Sequence, residues 1–269
     1  MTGRHTTSAE WRSHPRFGTA PALTLDNEGV RCTRLVVVAA HPDDESLGAG
    51  GLIATAADAG LDVYVVLLTA GEASRYAEPD STRHTLATMR LAEMERALTH
   101  LAPENTLVFL GAPDGLVADS EEAVTRSLVE LVGDGSHTLV AAPWRHDGHP
   151  DHEAAGRCAA AAARAGGARL VEFPLLGWGF TTPDELAWDR ARRLDLDDAV
   201  AARKQAAIRA HVSQVRGTEG AVAGAPLPGR VLAHFTGPVE HYLEACLAAA
   251  PTRVLDEDAG QSGAAVTVA

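Results

Sequence analysis

The chain of 269 residues predicts an α/β, Rossmann-like layered fold, with a mostly parallel sheet flanked by helices. Two observations lead there. Short apolar runs recur at Arg34 to Ala40, Leu61 to Thr69, Thr106 to Leu110, Thr138 to Ala142 and Arg169 to Phe173, separated by helical stretches. Runs of this kind bounded by polar turns read as buried parallel strands. In such sheets ligands bind beyond the carboxyl ends of the strands. The first run ends in His41, Asp43, Asp44 and Glu45, and the fourth is followed by His149, Asp151 and His152, so a metal site is expected where these two strand ends meet.

The elements have readable boundaries. Residues 1 to 30 mix Pro, Gly, Thr and charge without periodicity, an N-terminal extension expected to be partly loose or draped over the domain. Residues 31 to 250 form a single domain, and 251 to 269 a flexible tail. Ser46 is a candidate cap for a helix through Ala59, Ser81 or Thr82 for a long helix to Leu101, and Ser120 with Glu121 and Glu122 for a helix to Val132. Leu86, Met89, Met94 and Leu98 recur at helical spacing, so the methionines belong to core packing. After Phe173 the Gly-, Pro- and Trp-rich stretch reads as loops and short elements placed to wall the site, with Trp178 and Trp188 as buried filler ahead of the alternative, stacking on a sugar face. A further helix runs from Asp197 to His211, opened by acidic residues.

Composition narrows the function. Lys and Arg number 23 against 36 Asp and Glu, a net charge of −13, which argues against nucleic acid or an anionic membrane as partner. The N-terminus lacks the apolar core of a secretory signal, and no apolar stretch is long enough to span a bilayer, so the expectation is a cytoplasmic protein without stable membrane insertion. The 3 cysteines lie far apart, with no disulfide framework or thiolate zinc spacing.

The chemistry resides in the two strand-end clusters. His41 and Asp44 are three apart across a turn entering a helix and can converge, and His149 and His152 are similarly spaced. His and Asp suit Zn²⁺, which in catalytic sites takes three protein ligands and keeps a position open. Either histidine of the second cluster can complete that set while the other faces the substrate. A dinucleotide turn is the competing reading of LGAGG, but Ile53 occupies the third glycine position; these glycines instead let the helix pack closely on the sheet. Arg90 and Glu93 read in isolation as a surface helix pair. Glu72 either orients a ligand or caps a turn. His146 and Asp147 lie beside the site.

AHPDDE after a buried strand and HPDH after a later one resemble the two signatures of the PIG-L, or LmbE-like, family of zinc-dependent N-deacetylases. The resemblance covers roughly residues 34 to 215, including the R-x-x-E of Arg90 to Glu93, the APDG around Asp114, and His211 with Ser213 and Gln214. It implies one Zn²⁺ per chain, or another divalent metal, held by His41, Asp44 and His152, with Asp43 as general base. It further implies His149 as partner acid or oxyanion stabiliser, Asp151 orienting it, and Arg90 and Asp114 holding a sugar. The implied activity is hydrolytic removal of an N-acetyl or N-acyl group from an amino sugar of a small glycoconjugate. The alternatives are an amidase on a non-sugar amide or thiol conjugate, and a non-catalytic metal-binding protein of the same fold.

Overall fold

A computed structural model describes residues 5–74, 82–216 and 227–247. The chain opens with α1 (Ser8–Ser13) and a small antiparallel hairpin of β1 (Asp26–Asn27) and β2 (Val30–Arg31). The main sheet and its helices follow: β3 (Arg34–Ala39), α2 (Asp44–Asp58), β4 (Asp62–Leu67), α3 (Arg83–Leu101), β5 (Thr106–Phe109), α4 (Glu121–Val132), β6 (Thr138–Pro143), α5 (Pro150–Gly166) and β7 (Arg169–Phe173). The remainder comprises α6 (Gly177–Phe180), β8 (Ala191–Asp195), α7 (Asp198–Ala210), α8 (Val212–Val215), α9 (Gly229–Leu232) and β9 (Val239–Glu244).

The seven-stranded sheet has the order β5-β4-β3-β6-β7-β9-β8. Strands β5, β4, β3, β6 and β7 are parallel, and β9 runs antiparallel to both its neighbours. From β3 the chain winds outward through β4 and β5, then returns to lay β6 on the other side of β3. Adjacent strands whose connections depart in opposite directions leave a crevice beyond their carboxyl ends. The two polar clusters follow β3 and β6, so topology alone brings them to that crevice.

Both faces of β3 are covered. Leu35, Val37 and Ala39 join one core with residues of α2, α3 and α7, while Val36, Val38 and Ala40 join a second with residues of α4 and α5. The glycines of α2 allow close approach. A Cβ on Gly48 would lie 2.1 Å from the Phe173 ring, and one on Gly51 would meet Leu196 and Glu240. Buried Glu240 accepts the backbone N–H groups of Gly51 and Leu52 and pairs with Lys204 at 2.6 Å, tying α2 and α7 to β9.

Several sequence expectations change. Strands β8 and β9 stand in a region read without strands. Residues ahead of β3 are tied in, with the Trp11 indole, 1 % exposed, donating to the Trp178 carbonyl. Thr82 does cap α3, accepting from the Thr85 N–H; Ser81 and the tail 251–269 lie outside the described residues. Ser46 is not a cap, because α2 begins at Asp44 and the Ser46 hydroxyl donates to Glu45 instead. Arg90 and Glu93 are buried rather than a surface pair. Among the described residues no helix is long and apolar enough to cross a membrane.

Candidate metal centre and catalytic cleft

All the site residues expected from sequence except Asp151 line one cleft of about 510 Å³, a volume typical of small-molecule sites. Asp151 lies directly behind it, fully buried.

His41 is the hub. Its Nδ1 lies 3.3 Å from His152 Nε2 and 3.8 Å from Asp44 Oδ2, and His152 Nε2 lies 3.5 Å from Asp44 Oδ1. Tetrahedral ligands at roughly 2.0–2.1 Å from zinc sit about 3.3 Å from one another, so these three donors fit a single divalent cation. Asp44 is fixed by its other contacts, accepting the N–H groups of Ala40 and His41 at 2.8 and 2.9 Å.

Each histidine is backed by carboxylate on its other nitrogen. His152 Nδ1 lies 2.6 Å from Asp147 Oδ2, and His41 Nε2 lies 3.1 Å from Asp151 and 3.2 Å from Asp114. Carboxylates in that position fix the tautomer and orientation of a metal-binding imidazole and raise its basicity. A second group of donors, His41 Nε2 with Asp114 and Asp151, is also close enough to hold an ion. The two carboxylates are, however, engaged by the backbone N–H groups of Gly115, Val117 and Ala73, which suits supporting acceptors. Burial disfavours the charged imidazole of His41, but bonds to Asp114 and Asp151 and the Asp44 charge prevail and push its pKa up to about 10. A cation at Nδ1 must displace a proton there, so binding is coupled to pH.

Asp151 departs from expectation. Its carboxylate faces His41, Gly115 and Val117, and only its backbone N–H reaches His149, donating to Nδ1 at 3.2 Å. That bond makes Nδ1 an acceptor and leaves the His149 proton on Nε2. Burial and the charges of His152 and His41 lower the His149 pKa to about 4. His149 therefore offers a neutral N–H donor, not the imidazolium that a carboxylate partner would favour.

Asp43 stands at the head of α2 with φ 125°, a region that L residues seldom occupy and that costs about 1–3 kcal/mol to hold. Glu45 Oε2 accepts its N–H at 3.0 Å, and His211 Nε2 lies 3.0 Å from the other oxygen of Glu45. The Gln214 amide donates to the Pro42 carbonyl, and Glu93 receives the N–H and hydroxyl of Ser213. The turn carrying the carboxylate is thus held by α8 and by His211 just before it, with α3 securing α8 through Glu93. Burial, then the neighbouring Asp44 charge, raises the Asp43 pKa to about 7.

Arg90 lines the cleft with its Nη1 donating to the Gly71 carbonyl at 2.7 Å, while its buried Nε has no partner among the described residues. Asp114 accepts from Ala73 and approaches His41, so it backs that imidazole as well as lining the cleft. Glu72 accepts from the Asp114 N–H, capping that turn. Asp147, read as merely adjacent, is fully buried against His152. The Glu45–His211 pair was equally hidden: its members are 166 positions apart.

Residues 36–163 match the family described as PIG-L, GlcNAc-PI de-N-acetylase. A 1D-myo-inositol 2-acetamido-2-deoxy-alpha-D-glucopyranoside deacetylase from Nocardia farcinica is 30% identical over 239 residues, covering 67% of this chain and 80% of its own length. The chain belongs to the PIG-L family. The Rhodococcus opacus deacetylase of the same name is 33% identical over 184 residues, and the chain spans 59% of that relative's length, the match covering 59% of this chain. Among solved structures, the A40926 pseudoaglycone deacetylase Dbv21 superposes with a TM-score of 0.59 at 23% identity, over 81% of this chain and 99% of that one. At that identity the likeness is one of fold.

Proposed function

We propose that this PIG-L family member is a divalent-metal-dependent N-deacetylase that removes an N-acetyl or N-acyl group from an amino sugar of a small glycoconjugate. The observation that carries the reading is the set of His41 Nδ1, His152 Nε2 and Asp44 within 4 Å of one another, with Asp43 lining the same cleft. His41, Asp44 and His152 would hold one Zn²⁺, which when bound supplies a Lewis acid that polarises an amide carbonyl and activates water at neutral pH.

The chain's own groups supply the proton transfers. Asp43, with its affinity for protons raised by burial, takes the proton of the attacking water as general base and can return it to the departing amine. His149 donates its Nε2–H to the oxygen on which negative charge develops, as an oxyanion-hole donor does. Asp151 and Asp147 act one step back, as positioning residues for His41 and His152. Arg90, which lines the same cleft, is left to orient sugar hydroxyls.

The test is release of acetate from N-acetylglucosamine glycosides by metal-stripped protein before and after Zn²⁺ addition. Restored release supports the reading. Faster hydrolysis of simple non-sugar amides than of every sugar, unaffected by Arg90→Ala, would replace it with the amidase alternative.

A further inference from the structure

A strap of residues 5–23 lies behind the metal-centre cleft, outside the stretch that matches the family. It is a folded element with its own anchor. Its helix α1 is opened by a capping box between Thr7 and Glu10. Further on, the Arg193 N–H of β8 donates to the Pro21 carbonyl and the Arg193 carbonyl accepts from Leu23, each at 2.8 Å. A small cavity under α1 is lined by Ser8, Trp11 and Arg12 from the strap and by Leu47 and Phe235 from the body of the domain. Leu47 and Phe235 line the cleft as well, so one layer of side chains separates the strap from the space open to a substrate.

Two segments outside the strands wall that cleft, and the strap reaches both. Leu175 and Leu176 lead into α6, where the Thr6 N–H donates to the Gly179 carbonyl at 2.9 Å and the Trp11 indole to the Trp178 carbonyl at 2.8 Å. The two indoles meet edge to face at 4.7 Å, and a Cβ on Gly179 would lie 3.2 Å from the His5 ring. Val231 and Phe235 belong to the second segment, residues 228–235, whose backbone–backbone hydrogen bonds among the described residues stay within the segment. Here the strap supplies an outside bond: Arg12 Nη2 donates to the Ala233 carbonyl at 3.3 Å, and the His5 ring stacks on His234 at 5.7 Å. The short stretch from His5 to Arg12 therefore joins the two walls.

We propose that the strap is a positioning element for the substrate, in which Trp11 and Arg12 together hold α6 and residues 228–235 at the separation that receives the sugar. The inference rests on the deacetylase reading for its choice of substrate. A wall that has come loose must be ordered again on binding, and apparent affinity falls with the fraction of molecules in which the cleft is already formed. The proposed metal ligands and Asp43 lie at the ends of β3 and β6, away from the strap's bonds. Once substrate has re-formed the cleft the chemistry is that of the wild type, so KM rises while kcat does not. Because one strap serves both walls, loosening it at either contact loosens both.

Backbone hydrogen exchange, zinc content and kinetics on the methyl glycoside of N-acetylglucosamine are measured for the wild type, Trp11→Phe and Arg12→Ala. Val124→Ala, a change in α4 within the core on the other face of the sheet, controls for lost stability. Each strap variant should quicken exchange in both 175–180 and 228–235 by about two- to tenfold, the equilibrium effect of one lost hydrogen bond. KM should rise by up to the same factor, with kcat and zinc content as in the wild type and no rise in the control. Arg12→Lys, which keeps a donor for the Ala233 carbonyl, should return KM towards the wild-type value. Unchanged exchange, or exchange quickened by each variant in its own segment alone, overturns joint positioning. So does quicker exchange with KM unaltered, or an equal rise of KM in Val124→Ala. A zinc-loaded wild type that releases no acetate removes the deacetylase reading instead. Calorimetric titration of the same glycoside then gives Kd in place of KM, and an equal Kd in all the proteins, or no binding by any, overturns the strap's role.

Discussion

His211 Nε2 lies 3.0 Å from Glu45 Oε1, and the other oxygen of that carboxylate accepts the Asp43 N–H. Both partners are buried, and each sustains the other's charge. The Glu45 carboxyl, which burial would push up, is brought below its ordinary pKa by His211, and His211 is raised above its own despite burial. Since Glu45 bridges from His211 to a residue at φ 125°, the pair holds the proposed base in a conformation it would not adopt unaided.

Replacing His211 with Ala leaves Glu45 buried and unpaired, a loss of about 3–5 kcal/mol for a broken buried pair. The Asp43 turn should then relax. Displacement of a reacting group by about 1 Å can lower turnover by about 10²-fold, so kcat should fall while KM and zinc content change little. Denaturant unfolding, metal analysis and steady-state kinetics on the one variant check all three. Unaltered kcat in a measurably destabilised protein would show that the pair serves folding alone.

Asp43→Asn retains the shape of the side chain and leaves His41, Asp44 and His152 intact. Zinc content should match the wild type, and kcat should drop by roughly 10²- to 10⁴-fold, the usual contribution of a general base. Near-normal turnover with metal bound would transfer the role to another carboxylate, and Glu72, which reaches the same side of the cleft through Asp114, is the first to examine.

Asp147→Asn tests the support behind His152. The amide can still receive backbone N–H groups through its oxygen, but it loses the charge 2.6 Å from His152 Nδ1. Loss of such a partner typically lowers metal affinity by about 10- to 100-fold. Competition against a zinc chelator measures it directly, and wild-type affinity would mean that the metal does not use His152 Nε2.

What was legible in the sequence follows from what is local. Four of the five parallel strands are largely buried on both faces, β5 at the sheet edge is only partly so, and all five announce themselves as apolar runs, while His41 and Asp44 are neighbours along the chain. Strand β9 is different. Its Glu240 and His241 interrupt any apolar pattern, and they are tolerated because Lys204 and the N–H groups of Gly51 and Leu52 bond Glu240, partners that only tertiary structure brings near. Arg90 and Glu93 misled for the same reason: i and i+3 spacing on a helix is the same for a surface pair and for two groups buried against Gly71 and Ser213. Asp151 is assigned to His149, two positions away in sequence, whereas the fold turns its carboxylate across to His41, 110 positions away.

Acid should loosen the N-terminal attachment. His234 is lowered to about 4 by burial and by the charges of His5 and Arg12, and its ring stacks on His5 at 5.7 Å. His241, whose Nε2–H donates to the Phe17 carbonyl at 2.8 Å, is lowered as well, chiefly by burial. An unfolded histidine titrates near 6.5. Because both folded values lie below it, the unfolded chain binds the extra protons first; the stability contributed by His234 is full above about pH 6.5 and lost as pH falls toward 4, and that of His241 is lost in the same direction. His234→Gln should therefore flatten the decline of Tm between pH 6.5 and 4 relative to wild type, with little change in slope at pH 7 to 8. Since His234 is remote from the metal ligands in sequence and outside their cleft lining, zinc content at pH 7 should be unchanged in the variant. A Tm profile parallel to that of the wild type across the acid range would show that His234 is not protonated on unfolding, and that its neutral burial contributes nothing to acid lability.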